Sequence, residues 1–157
     1  MGYTTEFEGK FKLNKKLTKK LYTFLLKFNE TRRMKRKVDS KYGVEGEFYV
    51  DGKGFMGQDK DDTIIDYNEH PITQPSLWCQ WRPTDDMKHI EWDGNEKFYC
   101  YTEWLEYIIE NFLKPNGYKL NGTVEYQGED RDDMGRIIVM DNKVTVEKGN
   151  IVYGVAK

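Results

Sequence analysis

Cysteine, histidine and proline are all scarce, at two, two and four residues in a chain of 157. Cys79 and Cys100 form no Cys-x-x-Cys pair and have no histidine at ligand spacing. Neither a disulfide framework nor a zinc site is expected, and both thiols are expected to be buried. Long apolar runs are missing as well. Residues 1–20 carry charges throughout, without a signal-peptide core, and no later segment approaches the roughly 20 apolar residues of a membrane span. A cytoplasmic location with no membrane partner is the expectation. Catalytic motifs are equally sparse: His70 and His89 are isolated, and Ser40 and Ser76 lack the context of a nucleophile elbow. Gly52, Gly54 and Gly57 do not open a helix after a strand, so they read as turn glycines and not as a phosphate loop. The acid runs Asp59-Lys60-Asp61-Asp62, with Asp66, and Glu129-Asp130-Arg131-Asp132-Asp133 lack the regular spacing, central glycine and closing glutamate of an EF-hand. They read as solvated loops, and no metal or cofactor is expected.

Aromatic residues, by contrast, make up 15% of the chain, so rings must supply much of any core. The length suits one domain over residues 1–157. Charge is abundant at 33% and unevenly placed. Residues 10–41 hold 13 of the 25 bases but only Glu30 and Asp39 of the 27 acids, a net +11 that leaves −13 for the rest.

Residues 3–13 alternate, with Tyr3, Thr5, Phe7, Gly9, Phe11 and Leu13 on one side, which predicts a half-buried strand. Asn14 offers an N-cap or turn before Leu17, Leu21, Phe24, Leu25 and Phe28, whose spacing predicts a helix over 16–30 with lysines on its solvated side. Residues 31–37 either extend that helix or form a loop. Further strands are expected at 45–50, with a hairpin turn at 51–54, and at 63–67, 77–82 and 90–92. Within 77–82, a period of two sets Leu77, Cys79 and Trp81 against Trp78, Gln80 and Arg82. Tyr101, Trp104, Leu105, Ile108, Ile109 and Phe112 trace a second helix ending before Pro115, and short strands at 118–127, 136–140, 144–147 and 150–155 complete a meander. The fold class is α+β, one mostly antiparallel sheet with two helices packed on it.

Two regions carry candidate chemistry. In the basic segment, Arg32, Arg33, Lys35 and Arg36 bring together planar guanidinium groups that grip carboxylates or phosphates with paired bonds. The plainer account makes this segment the solvated side of a helix. Between residues 66 and 93, Asp66, Asn68, Gln74, Gln80, Glu91 and Asp93 lie close to Trp78, Trp81 and Trp92, a mixture of rings, amides and carboxylates suited to a planar or sugar-like ligand. Here the alternative is that the tryptophans fill the core.

The strings Met1-Gly2-Tyr3-Thr4-Thr5-Glu6-Phe7-Glu8-Gly9, Thr31-Arg32-Arg33-Met34, Tyr42-Gly43-Val44-Glu45-Gly46-Glu47-Phe48-Tyr49, Thr73-Gln74-Pro75-Ser76-Leu77-Trp78-Cys79-Gln80-Trp81, Ile90-Glu91-Trp92-Asp93-Gly94, Glu103-Trp104-Leu105 and Leu120-Asn121-Gly122 span nearly the whole chain. In them the chain resembles a family of small proteins of bacteria and their phages that begin Met-Gly-Tyr. That resemblance implies a phage-linked accessory protein that binds a host component, including one that interferes with host defence. It implies no catalytic residue and no cofactor. The expected function is a non-enzymatic binding protein that engages an acidic protein surface or a phosphate-bearing small ligand. One alternative is a hydrolase or transferase using Asp66, Glu91 and Asp93. Another is a single-strand nucleic-acid binder, disfavoured because the acidic remainder repels a polyanion.

Overall fold

A computed structural model of the chain describes residues 2–37, 48–50 and 62–156. The fold is α+β, and every strand pairing in it is antiparallel. The alternation over residues 3–13 becomes two strands, β1 (Glu6–Glu8) and β2 (Phe11–Leu13). Both pair with the long strand Leu120–Gln127, and one register continues from Glu6 opposite Gln127 to Leu13 opposite Leu120. Gly9 breaks them apart. Its φ of 108° is a conformation that side chains with a Cβ resist, and a Cβ there would stand 3.0 Å from the Thr123 carbonyl oxygen.

Helix α1 (Lys19–Glu30) starts later than the apolar spacing suggests, because Thr18 caps it, its hydroxyl accepting from the Leu21 N–H at 3.2 Å. Asn14 is not the cap. Its side-chain oxygen accepts from the Lys119 N–H instead and anchors a loop. The helix stops at Thr31, which is extended (φ −102°, ψ 128°), so residues 31–37 do not continue it. They lead into β3 (Lys35–Arg36), which forms a separate ribbon with β4 (Ile64–Asp66). The strand expected at 45–50 and its turn at 51–54 lie largely outside the described residues, and 48–50 are not in a strand.

Of the strand expected at 77–82, only β5 (Trp81–Pro83) joins a ladder, beside β6 (His89–Trp92). The reason is competition for backbone groups. The Leu77 carbonyl accepts from Arg33 N–H and the Cys79 carbonyl from the Asn29 amide, while the Gln80 carbonyl, accepting from Asp93 N–H, only continues the β5–β6 register by one position. Helix α2 (Tyr101–Ile108) widens into a π-helical stretch, Ile109–Leu113, and closes as a 3-10 turn, Lys114–Asn116, that accommodates Pro115. The meander is then β7 (Leu120–Gln127), β8 (Met134–Met140) and β9 (Lys143–Lys148). Asp141 and Asn142 both take positive φ in the β8–β9 turn, the pattern that suits a tight hairpin. The sheet order is β5-β6-β2-β7-β8-β9, with β1 alongside β7. The strand expected at 150–155 is absent: residues 151–156 are exposed and irregular.

One apolar face of the sheet, including Phe11, Trp81, Ile90, Leu120 and Ile137, meets Phe28 of α1 and Trp104, Leu105 and Ile108 of α2. Phe28 touches the rings of Trp104 and Phe112 edge-on, at centroid separations of 5.8 and 5.1 Å. The lysines of α1 face outward as the periodicity predicts. Cys79 is buried, but Cys100 is exposed, because it stands in a left-handed conformation at the start of α2 instead of inside the helix–sheet interface. Among the described residues no helix is long and apolar enough to cross a membrane.

Candidate functional site

Where α1 ends, its last turn, the 70–80 segment and the 93–99 loop enclose a cleft of about 580 Å³. Asn29 builds the floor. It is buried, and its amide donates to the Cys79 carbonyl at 2.8 Å and to Asp93 Oδ2 at 2.9 Å, tying helix, segment and loop together. Asp93 Oδ1 accepts from Asn95 N–H, which folds the loop back on itself. Gln80 spans the same region, donating to the Glu96 carbonyl and accepting from the Trp92 indole N–H. Gln80 and Asp93 therefore line the cleft but spend these hydrogen-bonding groups on holding it open.

The four tryptophans divide. Trp81 and Trp104 are buried, and their indole N–H groups donate to the Tyr101 carbonyl and Ser76 Oγ. Trp92 is partly buried and bonded to Gln80 and the Asn95 carbonyl. Trp78 differs from all three. It is only partly buried, lies on the wall of the cleft that Leu77 and Tyr99 also line, and among the described residues its indole N–H has no acceptor and its ring no aromatic neighbour. The period-two pattern anticipates this split, since Trp78, Gln80 and Arg82 share the side opposite Trp81 and all three line the cleft.

The basic cluster divides too. Both accounts of this segment, a gripping cluster or the solvated side of a helix, put its guanidinium groups in solvent, and the structure corrects this at two positions: Arg33 and Arg36 are 3% and 2% exposed. Arg33 lies over the Phe28 ring at 4.1 Å and donates to Gln74 Oε1 and the Tyr49 carbonyl. Arg36 lies over the Tyr49 ring at 4.3 Å and donates to Thr63 Oγ1. The segment after α1 is extended and sandwiched under residues 49 and 63–77, so successive side chains cannot all reach solvent. Lys35 remains partly exposed on the β3–β4 ribbon, and Arg32 turns into the cleft. Arg32 donates to the Tyr67 carbonyl at 3.0 Å and to Asn68 Oδ1 at 3.4 Å, and has no carboxylate partner among the described residues.

The other expected site residues scatter. Gln74 is buried between Arg33 and the Tyr107 hydroxyl, a packing role. Asp66 is exposed and accepts from Asn68 N–H, capping a turn. Glu91 faces a different hollow, with Lys10, Tyr22 and Asp86. Asp66, Glu91 and Asp93 thus do not converge, and these three offer no paired acid and base.

Sequence reasoning missed Arg82 and Lys97 as site residues. Both line the cleft, and neither has an ion-pair partner among the described residues. Glu30 and Glu96 give the rim matching negative charge. His70 also lines it, its Nδ1 2.8 Å from the Pro71 carbonyl, and among the described residues its Nε2 has no hydrogen-bond partner. The signal for Arg82 was its parity with Trp78; for Lys97 none was legible. Comparison of the chain with family models, with curated proteins and with solved structures returns no match.

Proposed function

We propose that the chain is a non-enzymatic binding protein whose cleft takes a small ligand combining a planar ring with a phosphate. The ring stacks on Trp78, and an acceptor on the ligand takes the spare indole N–H. Arg32, with Arg82 and Lys97, faces the phosphate, while Glu30 and Glu96 accept from donor groups on the ring edge. A ring platform and a small set of converging polar groups are what such sites commonly consist of. The observation that carries this reading is Trp78: among the described residues its ring has no aromatic neighbour and its N–H no acceptor, and the cleft it lines also holds Arg32, Arg82 and Lys97, none of them in an ion pair with a described residue. The balanced rim argues against a long polyanion, and burial of Arg33 and Arg36 removes half of the basic cluster from any acidic protein partner.

Calorimetric titration with purine and pyrimidine nucleoside monophosphates, the free nucleosides and inorganic phosphate tests it. At least one monophosphate is expected to bind more tightly than either fragment, with affinity falling in higher salt and on Arg32→Ala. Failure of every monophosphate to bind, or binding untouched by both Trp78→Ala and Arg32→Ala, overturns the reading.

A further inference from the structure

The far edge of the sheet points to a second property, independent of the cleft. Among the described residues β9 pairs with β8 alone, and nothing hydrogen-bonds to its other side. It runs regularly over Lys143–Lys148 without a proline or a bulge, two of the devices that stop one sheet edge from joining another; a third, edge charge, is present in Lys143, Glu147 and Lys148 and opposes pairing except where opposite signs meet.

The ladder settles which groups face outward. Gly149 N–H donates to the Met134 carbonyl in line with the β8–β9 register. In an antiparallel pair the bonded positions alternate. Lys143, Thr145 and Glu147 therefore aim their backbone groups at β8, while Val144, Val146 and Lys148 aim theirs at solvent. Val146 is 43% exposed, and Val144 packs against the core on the same face.

We propose that β9 pairs antiparallel with β9 of a second copy of this chain, with Thr145 opposite Thr145. Two copies related by a two-fold axis can meet in only a few registers, because the outward-facing positions must bond to each other. The register centred on Thr145 sets Lys143 opposite the partner's Glu147, and Glu147 opposite the partner's Lys143. Val144 then meets the partner's Val146, extending the apolar face across the junction. Moving the axis to Lys143 or to Glu147 sets identical charges against each other. Centring it on Val144 brings Asp141 opposite Glu147, and centring it on Val146 leaves Lys143 and Glu147 without opposite charges. Charge complementarity thus selects one register. Glu147 already bonds to Arg136 at 2.8 Å, so in the pair its carboxylate sits between two cations. The contact is one strand wide, below the roughly 1,000 Å² of a durable interface, so the association is transient.

A covalent trap reads both the pairing and its register. The full chain is prepared with Cys100→Ser, to remove the exposed native thiol, and with a single added cysteine at Lys143, Thr145 or Glu147. Opposed residues at a non-bonded antiparallel position have Cα atoms about 4.5 Å apart, within disulfide reach. In a glutathione buffer the Thr145→Cys chain is expected to cross-link several-fold faster than the other two. Adding either Lys143→Glu or Glu147→Lys to it abolishes the cross-link, because each places like charges opposite. Mixing those two variants restores it, since every cross-strand charge pair is again opposite. Circular dichroism of each variant confirms that it is folded. Equal cross-linking at the three positions, no cross-linking at Thr145→Cys, or no recovery in the mixture overturns the proposal.

Discussion

Arg32 and Arg33 are consecutive, and Trp78 and Trp81 nearly so, yet each pair is divided between two regions of the molecule. Arg33 and Trp81 belong to the interior, where every ring has neighbours and every indole N–H an acceptor. Arg32 and Trp78 belong to the cleft, where they are held in place but left with bonding capacity. The difference teaches that composition alone does not mark a site here. What marks it is an incomplete set of partners.

The comparison breaks most visibly in the interior. Phe28→Ala removes the ring on which Arg33, Trp104 and Phe112 converge and is expected to destabilise the fold by about 3–5 kcal/mol, read from the urea midpoint. Arg33→Ala leaves Gln74 and the Tyr49 carbonyl short of a donor and is expected to lose roughly 2–3 kcal/mol. Arg32→Ala, one residue away, should stay within about 0.5 kcal/mol. Similar losses for the two arginines would erase the proposed division.

Titration sharpens the same contrast. Burial pushes the Cys79 thiol up to about 12, and burial together with nearby acidic groups pushes the Tyr101 hydroxyl up to about 12. Both folded values lie above the ordinary 9.0 and 10.0, so the folded state favours the protonated forms. Their contribution is complete below the ordinary values and is lost as pH rises toward 12. Alkaline unfolding is expected to begin above about pH 9, and Cys79→Ala should shift its onset upward relative to neutral-pH stability. Thiol labelling completes the series with a smaller effect. Cys100 should react in the native state, more slowly than a free cysteine because burial and Glu103 raise its thiol, while Cys79 waits for unfolding. Two equally reactive thiols would contradict the burial of Cys79.

Much of the fold was legible in the sequence because periodicity reports which side of an element is dry. Residues 3–13, α1, α2 and β7–β9 each show a clear period, and each appears close to its expected place. At two of the places where prediction failed, non-local contacts decided the outcome. Residues 77–79 have the alternation of a strand, but the Leu77 and Cys79 carbonyls accept from Arg33 N–H and from the Asn29 amide of α1. Nothing local in the 31–37 stretch shows that residues 49 and 63–77 will cover Arg33 and Arg36. The cleft was half legible: Trp78 and its parity with Gln80 and Arg82 could be read directly. Asn29, the residue that closes the floor, carries no signal in sequence, since it acts through partners 50 and 64 positions away.

The most direct test of the spare indole is its own resonance. In a nitrogen-15 spectrum of the folded chain, adding a nucleoside monophosphate should shift the Trp78 indole N–H, assigned by its loss in Trp78→Phe, while those of Trp81 and Trp104 stay in place. A Trp78 signal that does not move, or four indole signals that move alike, would contradict the account.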